Sequence, residues 1–190
     1  VRFTDIRGHW AEGDILLAAQ LGIVGGYPDG SFRPNRPATR LQFILMLVKA
    51  QRAKGPPAAP APVKSPPPAA DGLPFKDARF IPEWAQPAVA YAVRAGIVKG
   101  YPDGTLRPDA YVSRQEMAVM LARLLLPDGK AAVRTTFADD AEIPDWAKAS
   151  VNAVAAKGLI RGREGNRFDP GAPATRAQAV VTLTRWMRQP

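Results

Sequence analysis

Gly96-Ile97-Val98-Lys99-Gly100-Tyr101-Pro102-Asp103-Gly104, followed nine residues later by Ser113-Arg114-Gln115-Glu116, reads as a helix end, a turn and the start of a second helix. A glycine that can adopt a left-handed conformation ends a helix. Ile97-Val98 is a short apolar plug, and Pro102-Asp103-Gly104 supplies the residues of a tight turn. Ser113 followed three residues later by Glu116 is a capping box, which opens a second helix. That helix continues with Met117, Met120, Leu121 and Leu124, an apolar face at helical spacing.

The same pattern recurs on both sides. Upstream stand Gly22-Ile23-Val24, Gly26, Tyr27-Pro28-Asp29-Gly30, Pro34 and Thr39-Arg40-Leu41-Gln42. Downstream stand Gly158-Leu159-Ile160, Gly162, Pro170 and Thr175-Arg176-Ala177-Gln178. Each copy is introduced by a Phe-x-Asp and a Trp-Ala: Phe3 to Asp5 with Trp10-Ala11, Phe75 to Asp77 with Trp84-Ala85, and Phe137 to Asp139 with Trp146-Ala147. The Trp-to-Gly spacing is 12 and the Gly-to-Arg spacing is 18 in every copy. Three gap-free matches define a repeat of roughly fifty residues. The expected units are residues 1–53, 75–126 and 137–190.

Residues 54–74 hold 8 prolines and 5 alanines in 21 positions, so they read as a linker. Fully extended, at about 3.1 Å per residue, it reaches roughly 60 Å. Each copy reads as helix, loop, helix. Pro82-Glu83 and Pro144-Asp145 suit a first turn, and Pro87 predicts that the regular helix of copy two starts late. Two short helices cannot bury their apolar faces alone, so the copies must pack together. The expected fold is all-α, three helix-loop-helix repeats in a pseudo-threefold, three-pronged bundle.

Composition narrows the function. The 190 residues contain no cysteine and one histidine, His9, which excludes disulfide scaffolds, thiolate zinc sites and cysteine nucleophiles. No loop has calcium-site spacing, so no metal and no cofactor are expected. No apolar run approaches the ~20 residues of a membrane span. The chain opens on Val1-Arg2-Phe3 without a basic, apolar leader, which leaves prior export or a trimmed chain open. The net charge of +9 favours an anionic partner: nucleic acid, acidic headgroups or acidic polysaccharide.

Together the motifs resemble the S-layer homology repeat, over nearly the whole chain outside the linker. The resemblance implies a non-catalytic module of a larger extracellular surface protein, tethered to the cell wall. It implies non-covalent binding of secondary cell-wall polymers, typically pyruvylated glycans linked to peptidoglycan. It also implies grooves between repeats lined by the motif arginines Arg40, Arg114 and Arg176, the aspartates Asp5, Asp77 and Asp139, the tryptophans Trp10, Trp84 and Trp146, and the glycines Gly26, Gly100 and Gly162. Copy three departs from the pattern with Arg163-Glu164-Gly165-Asn166 in place of Tyr-Pro-Asp-Gly, which implies an altered groove there.

Each candidate also has a structural reading. A cation in the first turn of a helix opposes the dipole, so three such arginines are either surface residues or members of a carboxylate site built with exposed first-turn amides. The tryptophans pack against the neighbouring helix or present a stacking face for sugar, and one ring could do both. The aspartates are caps or acceptors for sugar hydroxyls. The glycines answer backbone geometry or let a ligand approach. Because copy two retains both Tyr-Pro-Asp-Gly and Glu116, Arg114 is expected to matter more than Arg176. Three other functions compete. A nucleic-acid module would cluster its basic residues on one helix, whereas these are scattered. A glycan-cleaving enzyme needs a poised acid pair, and none recurs. A purely structural assembly module would show no glycan affinity.

Overall fold

The computed structural model describes residues 2–55, 72–125 and 134–189. Most of the expected linker therefore lies outside the described residues. Among the described residues six α-helices follow in order: α1 (Glu12–Gln20), α2 (Arg40–Lys54), α3 (Gln86–Arg94), α4 (Arg114–Leu125), α5 (Asp145–Ala156) and α6 (Arg176–Met187). Helix α2 runs to Lys54, the first residue of the stretch read as linker. The all-α expectation holds: extended pairing among the described residues is limited to isolated bridges.

Local chemistry sets the helix ends. The α1 stop is a Schellman motif: Gly22 has φ of 70°, its N–H donates to Ala19 O, and Ile23 N–H donates to Ala18 O. Gly96 and Gly158 close α3 and α5 the same way. Thr39 with Gln42 and Thr175 with Gln178 form complete capping boxes on α2 and α6. Ser113 and Glu116 exchange the equivalent bonds at the start of α4. Pro87 acts as expected, since a 3₁₀ turn at Glu83–Ala85 precedes the regular helix from Gln86.

The helices do not pair within their own repeats as the main contact. Instead α3 packs on α2, α5 on α4 and α1 on α6, so each first helix lies on the second helix of the preceding copy and the last pair closes the circle. Helices α2 and α6 also meet directly. The buried apolar residues, from Ile6 to Trp186, form one continuous cluster.

Three backbone bonds link the copies at their centre. Ala38 N–H donates to Ala174 O, Ala174 N–H to Val112 O, and Val112 N–H to Ala38 O. Each residue gives one bond and receives one. The orphan amides at the helix starts are met the same way, by carbonyls of the next copy. Arg40 N–H reaches Ala110 O, Arg114 N–H reaches Ala172 O, and Arg176 N–H reaches Arg36 O.

This circular bonding has a consequence for the linker. Repeat one contacts both of its neighbours through bonds that do not involve residues 56–71. A protease site introduced between Ala58 and Ser65, once cut, is expected to leave the two pieces associated on size exclusion. Separation of an N-terminal fragment from the rest would show that the inter-repeat bonds are too weak to hold it.

Candidate functional site

The Phe-x-Asp aspartates fix the loop of their own copy. Asp5 accepts the N–H groups of Phe32 and Arg33, Asp77 those of Leu106 and Arg107, and Asp139 those of Phe168 and Asp169, all at 2.7–2.8 Å. The second residue of each pair, Arg33, Arg107 or Asp169, has φ of 51–58°. That conformation is costly for a residue other than glycine, and the two-armed carboxylate clamp offsets the cost. Burial alone would raise the Asp139 pKa, but the amides of Phe168 and Asp169 outweigh it and hold the carboxyl below its ordinary value.

The loop glycine answers packing. A Cβ on Gly100 would lie 2.6 Å from a Phe75 ring carbon and 2.9 Å from Thr105 O, and its φ is +75°. Gly26 is pressed by Phe3 in the same manner, and Gly162 by Phe137 and Asn166. Despite its different sequence, the loop of copy three closes as the others do. Arg163 N–H donates to Arg167 O at 2.8 Å, matching Tyr101 to Thr105 and Tyr27 to Ser31.

The motif arginines are not surface residues. Arg40, Arg114 and Arg176 are 4%, 3% and 5% exposed. Their Nε groups donate to Leu106 O, Phe168 O and Phe32 O of the next copy. Arg114 Nη2 also reaches Arg161 O, and Arg176 Nη2 reaches Gly25 O. These carbonyls explain how a cation is tolerated in the first turn. The amide half of the expected carboxylate site is absent, because the first-turn N–H groups are already engaged. In α4, Arg114 and Gln115 donate to Ala172 O and Pro170 O, and Glu116 donates to Ser113 Oγ. Any anion must be met by side chains.

A second correction concerns which residues share a groove. Two junctions combine the arginine of one copy, the loop and second helix of the next, and the tryptophan of the third. The first groove holds Arg40 with Lys99, Tyr101, Glu116 and Arg123, and Trp146 forms its wall. The next holds Arg114 with Arg161, Arg163, Gln178 and Arg185, walled by Trp10. Their volumes are about 320 and 200 Å³. So the groove of Arg114 excludes the Tyr-Pro-Asp-Gly turn and Glu116 of its own copy, and that turn and Glu116 lie beside Arg40 instead. At the third junction Arg176 lies 5.1 Å from the Tyr27 ring centre.

Trp10, Trp84 and Trp146 are 63%, 72% and 58% exposed, which rules out core packing for these rings. Tyr101 was missed as a site residue and read only as part of a turn. Its hydroxyl donates to Glu116, while Arg40 and Arg107 lie 4.5 and 4.0 Å from its ring centre. Burial and the Glu116 contact push its pKa up to about 12. Arg40 pairs with Glu116 at 3.1 Å. Arg123 and Arg185, nine residues after the motif arginine, were also missed; their position on the helix face beside the loop was the available signal. Among the described residues no group of three or more His, Asp or Glu could hold a metal. Among the described residues no helix is long and apolar enough to cross a membrane.

Fold and grooves together define a tandem-repeat module whose candidate sites lie at its repeat junctions. Residues 2–44, 74–118 and 136–180 match the S-layer homology domain, and the chain belongs to that family of cell-surface, cell-wall-associated modules. It is similar to the exoglucanase XynX of Acetivibrio thermocellus, 34% identical over 96% of this chain and 16% of that protein. It is 31% identical to a cellulosome-anchoring protein of the same organism, over 84% of this chain and 34% of the relative. S-layer protein EA1 of Bacillus anthracis is 28% identical over 96% of this chain and 20% of its own length. The chain thus spans only a minor part of each of these relatives.

Proposed function

We propose that this chain is the cell-wall anchor of a larger surface protein, and that it holds an anionic, pyruvylated secondary cell-wall polysaccharide in the grooves between its repeats. The observation that carries this reading is the pairing, in one groove, of a largely exposed tryptophan with a buried arginine and further cations. An exposed indole stacks on the apolar face of a sugar ring, and a guanidinium forks onto a carboxylate. The names of the cellulosome-anchoring and S-layer relatives support an anchoring role. In this reading the three repeats, 1–53, 75–126 and 137–190, form a three-pronged bundle about a pseudo-threefold axis. Arg40, Arg114 and Arg176 form the groove floors, and Trp10, Trp84 and Trp146 the walls. Gly26, Gly100 and Gly162 let the loop lie close. Asp5, Asp77 and Asp139 act from behind, holding each loop in shape. The module itself performs no catalysis and takes no nucleic acid.

The test compares a pyruvylated cell-wall fragment with the same sugar lacking its pyruvate, by calorimetry. Loss of one carboxylate facing a guanidinium is expected to weaken binding by about 1.5–3 kcal/mol, the scale of a charge-assisted hydrogen-bond set. Equal affinity for the two sugars would sink the carboxylate mechanism.

A further inference from the structure

The two grooves differ in how their charge is compensated. In the Arg40 groove, Glu116 sits within the lining and pairs with the motif arginine. In the Arg114 groove the equivalent position is Gln178, which closes the same capping box without a charge. Arg114 has no ion-pair partner among the described residues, although it is 3% exposed. It spends Nε and Nη2 on two carbonyls, and Nη1 has no protein partner among the described residues. Around it stand Arg161, Arg163 and Arg185. Asp169 offsets Arg163 at 3.3 Å. Among the described residues, three guanidinium groups, those of Arg114, Arg161 and Arg185, are left without an ion-pair partner. Burial, then Arg163, pushes the Arg114 pKa down to about 10 against the opposing pull of Asp169 and Asp139, and burial, then Arg161, lowers that of Arg185 against Asp14.

One carboxylate would neutralise one of these three charges. A phosphate monoester carries close to two negative charges above pH 7 and offers three acceptor oxygens to several forks. We propose that the Arg114 groove is a site for a phosphorylated sugar unit, distinct in charge preference from the Arg40 groove. The inference rests on the glycan-binding reading and assigns one groove a more highly charged part of the ligand.

The experiment titrates the protein at pH 7.5 with N-acetylglucosamine 6-phosphate, pyruvylated N-acetylglucosamine, unmodified N-acetylglucosamine and inorganic phosphate. Trp10 indole resonance shifts report the groove. The sugar phosphate is expected to bind about tenfold or more tighter than the pyruvylated sugar at this site. Gln178→Glu places the acid of the other groove beside Arg114 while retaining the cap, and it should bring the two affinities together. Arg161→Ala with Arg163→Ala should do the same, since both side chains are exposed and the Arg161 carbonyl is kept. Lys49→Ala, an exposed cation outside both grooves, should leave the preference intact. Equal binding of the two anionic sugars at Trp10, or a preference unchanged in Gln178→Glu, overturns the inference and leaves the glycan reading standing. Inorganic phosphate binding as well as the sugar phosphate overturns the sugar assignment. Binding of none of the sugars anywhere on the protein overturns both readings.

Discussion

Arg114→Ala is expected to lower the unfolding free energy by about 2–4 kcal/mol, before any ligand is considered. The side chain is buried, and it donates to Phe168 O at 2.6 Å and Arg161 O at 3.0 Å, both in the next repeat. Truncation leaves two carbonyls without their charged donor and opens a void against the Phe168 ring, whose centre lies 5.0 Å from the guanidinium carbon. Each buried acceptor left unpaired costs about 1–3 kcal/mol. Lysine keeps the charge but cannot present Nε and Nη2 in one plane, so Arg114→Lys should recover only about half. Urea denaturation measures the effect as a shift in midpoint at constant slope. A midpoint within experimental error of the wild type would show that the carbonyls find other donors. A loss of glycan binding in Arg114→Ala is therefore no proof of ligand contact, which is why the Gln178→Glu comparison is the sharper probe.

What the sequence made legible was local chemistry. Helix stops at Gly22, Gly96 and Gly158 and capping boxes at Thr39, Ser113 and Thr175 are decided within a few residues, and the structure follows them. The late start of α3 at Gln86 follows from Pro87 in the same way. The junctions were not legible. Aligning the copies encourages the view that Arg114, Tyr101 and Glu116 belong to one site because they belong to one copy. Closure in three dimensions instead sets Arg114 against the loop of copy three and gives Tyr101 and Glu116 to Arg40. An arginine in a first turn does not reveal whether the amides beside it are free, since they can be satisfied by a neighbour distant in sequence, as Ala172 and Pro170 show for α4. The tryptophan alternatives stayed open for a related reason. A ring at the start of a short amphipathic helix can face in or out, and only packing of the preceding copy decides it.

Asp139→Ala is expected to cost a further comparable amount, about 2–4 kcal/mol, by a different route. Both carboxylate oxygens accept buried or half-buried amides, from Phe168 and Asp169, at 2.7 Å. Alanine orphans both, and it removes the carboxylate clamp on Asp169, whose backbone φ is 51°. Asparagine can accept one amide, but its own N–H₂ then faces the other donor, so Asp139→Asn should recover less than half. The acid response follows from the lowered carboxyl pKa. A group whose folded pKa lies below its unfolded value of about 3.9 stabilises fully above that value and loses the contribution as pH falls through the folded one. The thermal midpoint of the wild type should therefore fall below about pH 4, and that of Asp139→Asn should fall less steeply. The comparison between the two is needed because Glu116, also held low against the opposing effect of burial, contributes a slope of the same sign. The consequence reaches the groove through a single peptide. Phe168 gives its N–H to Asp139 and its carbonyl to Arg114, so releasing one side loosens the other. Under conditions where Asp139→Asn stays folded, affinity should drop in the groove reported by Trp10 and hold in the one reported by Trp146. An equal loss in both grooves would mean that the clamp supports the whole module and not its own loop.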